Sequence, residues 1–124
     1  MSDPGGRHFI AEFFQCNSLL LNDLMLINRI LIEAALQTGG KINGYIMHRG
    51  TPAGISGIIL IDGSHLALHT FPQQNYASLD MYSSNHRLNL NEAYNYIANQ
   101  LQASWSLVKE LTPGYEETLE RLPN

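Results

Sequence analysis

The sequence predicts one α+β domain, a two-layer sandwich in which helices cover one face of an antiparallel sheet. Three observations lead to this prediction. Several short apolar runs with the two-residue period of strands are separated by turn signals, while two longer segments repeat apolar residues every three or four positions, as amphipathic helices do. The links between successive strands are short, which suits antiparallel hairpins rather than parallel crossovers. A chain of 124 residues, 44% of them hydrophobic, can form a single small core.

The predicted elements follow in the order strand, helix, four strands, helix. The first strand spans residues 8–16, which are rich in phenylalanine. The first helix spans residues 18–36, because its apolar residues form one stripe at steps of three and four. Gly39 and Gly40 mark its end, and residues 41–48 form the second strand.

Three consecutive strands are predicted in the centre of the chain. The run Ile55–Ile61 is β-branched and apolar, which is typical of a buried strand, and Asp62-Gly63 ends it with a turn. Residues 65–69 alternate polar and apolar side chains, as a half-buried strand does. Residues 76–82 form the last strand of the three.

The C-terminal part of the chain predicts a second helix. Asn89 or Asn91 could cap it, and its apolar residues lie on one face. Two alternatives stay open for its end: it stops near Ser104, or it continues through Trp105, which would then pack on the helix face. Residues 115–122 are expected to form a short helix or a tail.

Composition excludes several classes of function. The formal net charge of −4 gives no electrostatic reason to expect nucleic acid or an anionic membrane as a partner. No apolar run approaches the ~18 residues of a membrane span, and the N-terminus lacks the pattern of a signal peptide. The single cysteine, Cys16, excludes an internal disulfide and a cysteine-based zinc cage. We therefore expect a cytoplasmic protein.

A serine and two histidines around the central turn form the candidate reaction centre. Ser64 follows the Asp62-Gly63 turn, and His65 and His69 lie one and five residues downstream, on one face of the same strand. Alone, Ser64 would be an ordinary turn serine and His69 a half-buried strand histidine. A metal site is the weakest alternative, because residues four apart on a strand are separated by ~13 Å, too far to share one ion.

Three strings of residues carry a resemblance to a known family. They are Gly54-Ile55-Ser56-Gly57, Ser64-His65-Leu66-x-x-His69-Thr70-aromatic-Pro72 and Tyr76-Ala77-x-x-Asp80. Together they resemble the prokaryotic S-adenosylmethionine decarboxylase proenzymes, over roughly residues 6–110. The resemblance implies that the chain cuts itself before Ser64 into a β chain (1–63) and an α chain (64–124), and that the serine becomes a covalent pyruvoyl group. It also implies a homodimer, an α/β/β/α sandwich with active sites near the interface, and no metal or pyridoxal phosphate.

The resemblance also assigns roles to individual residues. Ser64 is the pyruvoyl precursor, while Ser56 and His69 assist processing, His69 by proton transfer. Gly63 stands where the family usually has glutamate, and the less hindered Gly-Ser bond is still expected to be cleaved. Ser84 stands where the family has a proton-donating cysteine, so the donor role could instead fall to Tyr82, His65 or a water molecule.

Three further departures from the family concern the substrate. Gly50 and Phe71 stand where the family has a phenylalanine and a tryptophan that hold adenine, and Gln73 replaces a glutamate expected to bind the ribose. Because stacking on an aromatic wall is worth ~1–3 kcal/mol per base, the loss of one wall favours a smaller substrate. We therefore predict a basic amino acid, ornithine or arginine, as the amine substrate in polyamine biosynthesis.

The residues predicted to contact that substrate are Phe71, His65, Glu12 and Asp80, with Asp62 as a further acid for the distal cation. Asp80 could alternatively cap a turn or pair with Arg87. Two other functions stay open: a true S-adenosylmethionine decarboxylase for spermidine synthesis, and a catalytically inactive paralogue that binds and regulates an active decarboxylase. Self-cleavage discriminates the enzymes from the regulator, because a regulator has no need to cut itself.

Overall fold

A computed structural model describes residues 6–111, which form one six-stranded antiparallel sheet with helices. The strands are β1 (Arg7–Phe14), β2 (Ile42–Arg49), β3 (Ile55–Ile61), β4 (Ser64–Phe71), β5 (Tyr76–Ser83) and β6 (Trp105–Leu111), and the helices are α1 (Ser18–Leu21), α2 (Leu24–Gln37) and α3 (Leu90–Gln100). A short 3-10 turn, Pro72–Gln74, links β4 to β5. Residues 112–124, including the predicted C-terminal helix or tail, lie outside the described part of the chain.

The sheet runs in the order β2-β3-β4-β5-β1-β6, and every neighbouring pair is antiparallel. Alternate residues of the central strands are fully buried under α2 and α3, for example Ile59, Leu66 and Leu79. Their neighbours in sequence point to the other face of the sheet, because successive side chains of a strand alternate. We call this the open face. The predicted fold class, an antiparallel sheet with helices on one face, is confirmed.

The first helical region is two helices, so the prediction of one continuous helix over residues 18–36 is wrong. The break falls at Asn22 and Asp23, whose short polar side chains form bonds that an uninterrupted helix would not provide. The Asp23 carboxylate accepts the backbone N–H of Leu26 at 3.1 Å and so caps α2. The Asn22 side-chain oxygen accepts the N–H of Gly54, which ties the break to the start of β3.

The segment after α3 is a strand, so the predicted packing of Trp105 on a helix face is wrong. Gln102 has a positive φ of 56°, a left-handed conformation that ends the helix. The chain then runs as β6 along β1, and Trp105 lies opposite Phe14. The two rings stack with their centroids 4.0 Å apart. Pairing with the free edge of β1 thus outweighs the helical spacing of the apolar residues.

The open face carries exposed apolar side chains beside the polar ones. The large apolar residues exposed there are Ile46, Ile58, Leu60, Phe71, Trp105 and Leu107. A patch of this kind on a sheet is typical of a surface that another protein covers. The pairing of two copies into an α/β/β/α sandwich stays a prediction. Within residues 6–111, no helix is long and apolar enough to cross a membrane.

Candidate active site

The turn between β3 and β4 places Ser64 at the first position of β4. Gly63 has φ +68°, which glycine adopts without the steric cost that other residues meet. The Ser64 side chain is only 8% exposed and points to the helical side of the sheet, on the same face of β4 as Leu66. Ser64 is therefore a buried residue at the head of a strand rather than an exposed turn residue.

The carbonyl oxygen of Gly63 accepts two hydrogen bonds from the same residue. The backbone N–H of Ser84 donates to it at 2.9 Å, and the Ser84 hydroxyl donates to it at 3.1 Å. Two donors on one carbonyl form the arrangement that stabilises negative charge on that oxygen when a nucleophile attacks its carbon. The bond that would be attacked is the one between Gly63 and Ser64.

The Ser64 hydroxyl has a partner that the sequence analysis did not identify. It donates to the hydroxyl oxygen of Ser83 at 2.7 Å, and Ser83 lies directly across from it in the ladder of β4 and β5. A signal was present in the sequence: Ser83 shares its strand face with Leu79 and Met81, so it is a polar residue at a core position. A polar residue at such a position needs a hydrogen-bond partner.

Ser56 and His69 form a second pair, on the open face. They lie opposite each other on β3 and β4, and the Ser56 hydroxyl is 2.8 Å from His69 Nδ1. A cleft of about 320 Å³ lies beside them, of a size that holds small molecules. The cleft is also lined by Gly50, Phe71 and Gln73, the three positions at which this sequence differs from the nucleoside-binding residues of the family it resembles.

The structure does not bring Ser64 and His69 of one chain together. They are five residues apart on β4, which corresponds to about 16 Å along the strand. Their side chains also point to opposite faces of the sheet, because odd separations change the face. Processing by His69 within a single chain is therefore not supported by this geometry.

The predicted substrate acids already have partners. One oxygen of Asp80 contacts His8 Nε2 at 2.8 Å and His65 Nε2 at 3.1 Å, rather than the Arg87 considered from the sequence. The Asp62 carboxylate accepts a hydrogen bond from Asn43 at 2.6 Å. A basic substrate would have to compete with these contacts.

Glu12 is engaged by Tyr76 on the same face. The Tyr76 hydroxyl donates to Glu12 at 2.6 Å. Burial, and then the hydrogen bond to the carboxylate and its negative charge, raise the pKa of Tyr76 to about 12, so this proton stays on the phenol at neutral pH.

The thiol of Cys16 and the side chains that bind metal ions are two other possible sources of reactivity. Cys16 is buried, and burial raises the pKa of its thiol to about 11, which keeps it protonated and unreactive. Within the described range, no three His, Cys, Asp or Glu side chains are arranged to hold a metal ion.

Comparison with known proteins identifies the family. Residues 7–114 match the profile of the S-adenosylmethionine decarboxylase family. The chain is 43% identical over 112 residues to S-adenosylmethionine decarboxylase proenzyme 2 of Halalkalibacterium halodurans, covering 90% of this chain and 88% of the relative. The chain belongs to the S-adenosylmethionine decarboxylase family. The enzyme class predicted from the sequence, a decarboxylase, is confirmed by this membership.

A second relative supports the same assignment, and a solved structure supports the fold. The S-adenosylmethionine decarboxylase proenzyme of Syntrophomonas wolfei is 38% identical over 118 residues, with 94% of each chain covered. The crystal structure of the adenosylmethionine decarboxylase from Aquifex aeolicus VF5 shares the fold, with a TM-score of 0.79 at 20% identity, over 94% of this chain and 97% of that one. The relatives that are 38% and 43% identical are named for S-adenosylmethionine, so they give no support to the prediction of ornithine or arginine as the substrate.

Proposed function

We propose that this protein is a self-processing, pyruvoyl-dependent decarboxylase that cuts its chain between Gly63 and Ser64 and acts on S-adenosylmethionine. One observation carries the proposal: both the backbone N–H and the hydroxyl of Ser84 donate to the Gly63 carbonyl, the group that must be attacked. The names of the relatives support the substrate.

Self-cleavage begins when the Ser64 hydroxyl oxygen attacks the carbonyl carbon of Gly63. A C–O bond replaces the C–N bond, the hydroxyl proton ends on the freed Ser64 nitrogen, and an ester joins the two parts of the chain. Negative charge that develops on the Gly63 oxygen meets the two Ser84 donors. Removal of the α-proton of Ser64 then breaks its Cβ–Oγ bond, which leaves Gly63 as a carboxylate and residue 64 as dehydroalanine. Tautomerisation and hydrolysis release ammonia and give the pyruvoyl group.

The pyruvoyl group supplies the electron sink for decarboxylation, the part that pyridoxal phosphate takes in other enzymes. The residues around Ser64 fit its formation, because the β3–β4 turn positions the nucleophile and Ser84, directly after β5, supplies the donors. Cleavage also releases the Ser84 hydroxyl from an intact peptide carbonyl. We assign to Ser84 the return of a proton to the product, with Tyr82 and His65, whose rings stack at 6.0 Å, as alternatives.

We further propose that two copies pair through their open faces and share the work. Ser64 and His69 of one chain are separated by about 16 Å along β4, so the Ser56–His69 pair of one copy would serve the turn of the other. The exposed apolar residues of the open face support this pairing. In this arrangement His69, oriented by Ser56, removes the α-proton of the second copy's Ser64.

An intact mass spectrum of freshly purified protein tests the cleavage. We expect two fragments split between Gly63 and Ser64, the second with a pyruvoyl N-terminus, and a single uncut chain for Ser64→Ala. A wild-type chain that remains one 13.9 kDa species over days would exclude the enzyme and favour the regulatory paralogue.

Release of labelled CO₂ from S-adenosylmethionine, ornithine and arginine, offered in parallel, tests the substrate. A basic amino acid is the second candidate, because Gly50 leaves one side of the cleft beside Phe71 without an aromatic wall. Turnover of S-adenosylmethionine alone would exclude the amino acids, and turnover of ornithine or arginine alone would exclude S-adenosylmethionine. The uncleavable Ser64→Ala variant controls for contaminating decarboxylases.

Coexpression of two inactive variants tests the shared site. Ser64→Ala has an intact His69 but nothing to cleave, and His69→Ala has an intact Ser64 but no base. If the base acts between copies, the His69→Ala chain is cleaved only when Ser64→Ala is present. If it acts within one chain, the His69→Ala chain stays whole in both cases.

A further inference from the structure

We propose that Ser83 is a positioning residue for self-cleavage, which holds the Ser64 hydroxyl in the orientation that attacks Gly63. This inference rests on the proposed function and adds a residue to it. The Ser64 hydroxyl has one proton and two acceptors within reach: Ser83 Oγ at 2.7 Å and the Asp62 carbonyl at 3.4 Å. The shorter contact has the usual length of an O–H···O hydrogen bond and the longer one exceeds it, so Ser83 determines the orientation.

The Ser83 hydroxyl is itself fixed by its neighbour. It donates to the Asn85 carbonyl at 2.9 Å and accepts the Asn85 backbone N–H at 2.9 Å. A serine hydroxyl has one donor and two acceptor positions, so the second acceptor position is the only one left for Ser64. Ser83 therefore cannot donate to Ser64, and the Ser64 proton must point at Ser83.

This direction leaves the lone pairs of Ser64 Oγ free of donated protons among the described contacts, as a nucleophile requires. Ser83 is only 5% exposed, so water competes poorly for the Ser64 proton. During the acyl shift that proton ends on the Ser64 nitrogen, and Ser83 neither gains nor loses one. Ser83 thus acts on the attack through Ser64 and is not itself a reacting group.

Two variants of equal shape separate this role from a structural one. Ser83→Thr keeps the hydroxyl and Ser83→Val removes it, while both add β-branched bulk that suits a strand. A cavity of about 360 Å³, lined by Ser83, Phe9 and Leu90 among others, gives the added methyl group room. A difference between the two variants therefore reports on the hydroxyl and not on the packing.

The experiment measures the rate at which uncut chain disappears after cell-free synthesis. Stability is measured separately, by thermal unfolding of each variant combined with Ser64→Ala, which prevents cleavage. We expect Ser83→Val to cleave about tenfold more slowly than Ser83→Thr, and Ser83→Thr to stay within about threefold of wild type. Turnover per pyruvoyl group should be equal in the cleaved fractions, because the role ends with cleavage.

Equal cleavage rates for Ser83→Val and Ser83→Thr would overturn the inference while leaving the proposed function intact. If Ser83→Val fails to fold, Ser83→Ala makes the same comparison without added bulk, and a rate equal to wild type overturns the inference. A wild-type chain that stays whole would overturn the proposed function and this inference with it.

Discussion

The Ser84 hydroxyl offers a direct test of how the Gly63 peptide is activated. Ser84→Ala removes one of the two donors on the Gly63 carbonyl, the hydroxyl at 3.1 Å, and leaves the backbone N–H at 2.9 Å. The variant should therefore still cleave, but more slowly. The lost bond gains strength as charge develops on the oxygen, so its removal raises the barrier more than it destabilises the folded chain.

The magnitude follows from the charge on the acceptor. A hydrogen bond to a charged group contributes about 1.5–3 kcal/mol, and each 1.36 kcal/mol of barrier is tenfold in rate. Ser84→Ala should cleave about 10- to 100-fold more slowly than wild type. The cleavage rate of Ser84→Cys should lie between those of wild type and Ser84→Ala, because a thiol is a weaker hydrogen-bond donor than a hydroxyl.

The assay is the decay of uncut chain after cell-free synthesis, read by intact mass. Ser106→Ala is the matched control: Ser106 is also a half-buried serine, and its hydroxyl bonds to Tyr94, far from the turn. Ser106→Ala should cleave at the wild-type rate. If Ser84→Ala cleaves within twofold of wild type, the hydroxyl does not stabilise the developing charge and the mechanism is wrong at this point.

Three further predictions concern other sites. Gly63→Ala should cleave more slowly than wild type and melt about 4 °C lower, because the added Cβ would lie 2.7 Å from the Ser84 hydroxyl that donates to the Gly63 carbonyl. Gly39 is also left-handed, but its Cβ would have open space around it. Gly39→Ala should therefore lose stability without any loss of cleavage rate. Cys16 should react with a thiol reagent at pH 8 only on unfolding, since with a pKa of about 11 about one thiol in a thousand is ionised. Glu12→Gln should lower the pKa of Tyr76 from about 12, because it removes the negative charge that opposes ionisation of the phenol. Tyrosinate absorbance measures this pKa, and an unchanged value would assign the shift to burial alone.

Much of the fold was predictable because the central strands are encoded locally. The run Ile55–Ile61 and the alternation of residues 65–69 each match one structure at their own positions, so neighbours did not have to be known. The strand β6 was not predictable in this way. Its residues fit a helix as well as a strand, and the free edge of β1 that selects the strand is about 100 residues away in sequence.

The candidate site was also predictable only where its residues are recognisable from local sequence. Ser64 and His69 were predicted because they stand in strings typical of a family, and Ser84 because it stands where that family has a cysteine. Ser83 was missed because the role proposed for it depends on the strand register that places it opposite Ser64. Likewise, the contacts of Asp80 with two histidines join β1, β4 and β5, and no spacing along the chain reveals that meeting.

The position of the proposed cut would have a consequence for the processed molecule. Cleavage after Gly63 would give an N-terminal fragment with β1, β2 and β3, and a C-terminal fragment with β4, β5 and β6. In the sheet order, β1 of the first fragment lies between β5 and β6 of the second. The strands of the two fragments would therefore interleave and share three pairs of neighbouring strands, β3–β4, β5–β1 and β1–β6, so neither fragment could leave without disrupting the sheet. Once denatured, the cut protein would fold back only when its two fragments meet, at a rate that depends on concentration, whereas each uncut chain would form its sheet from one molecule.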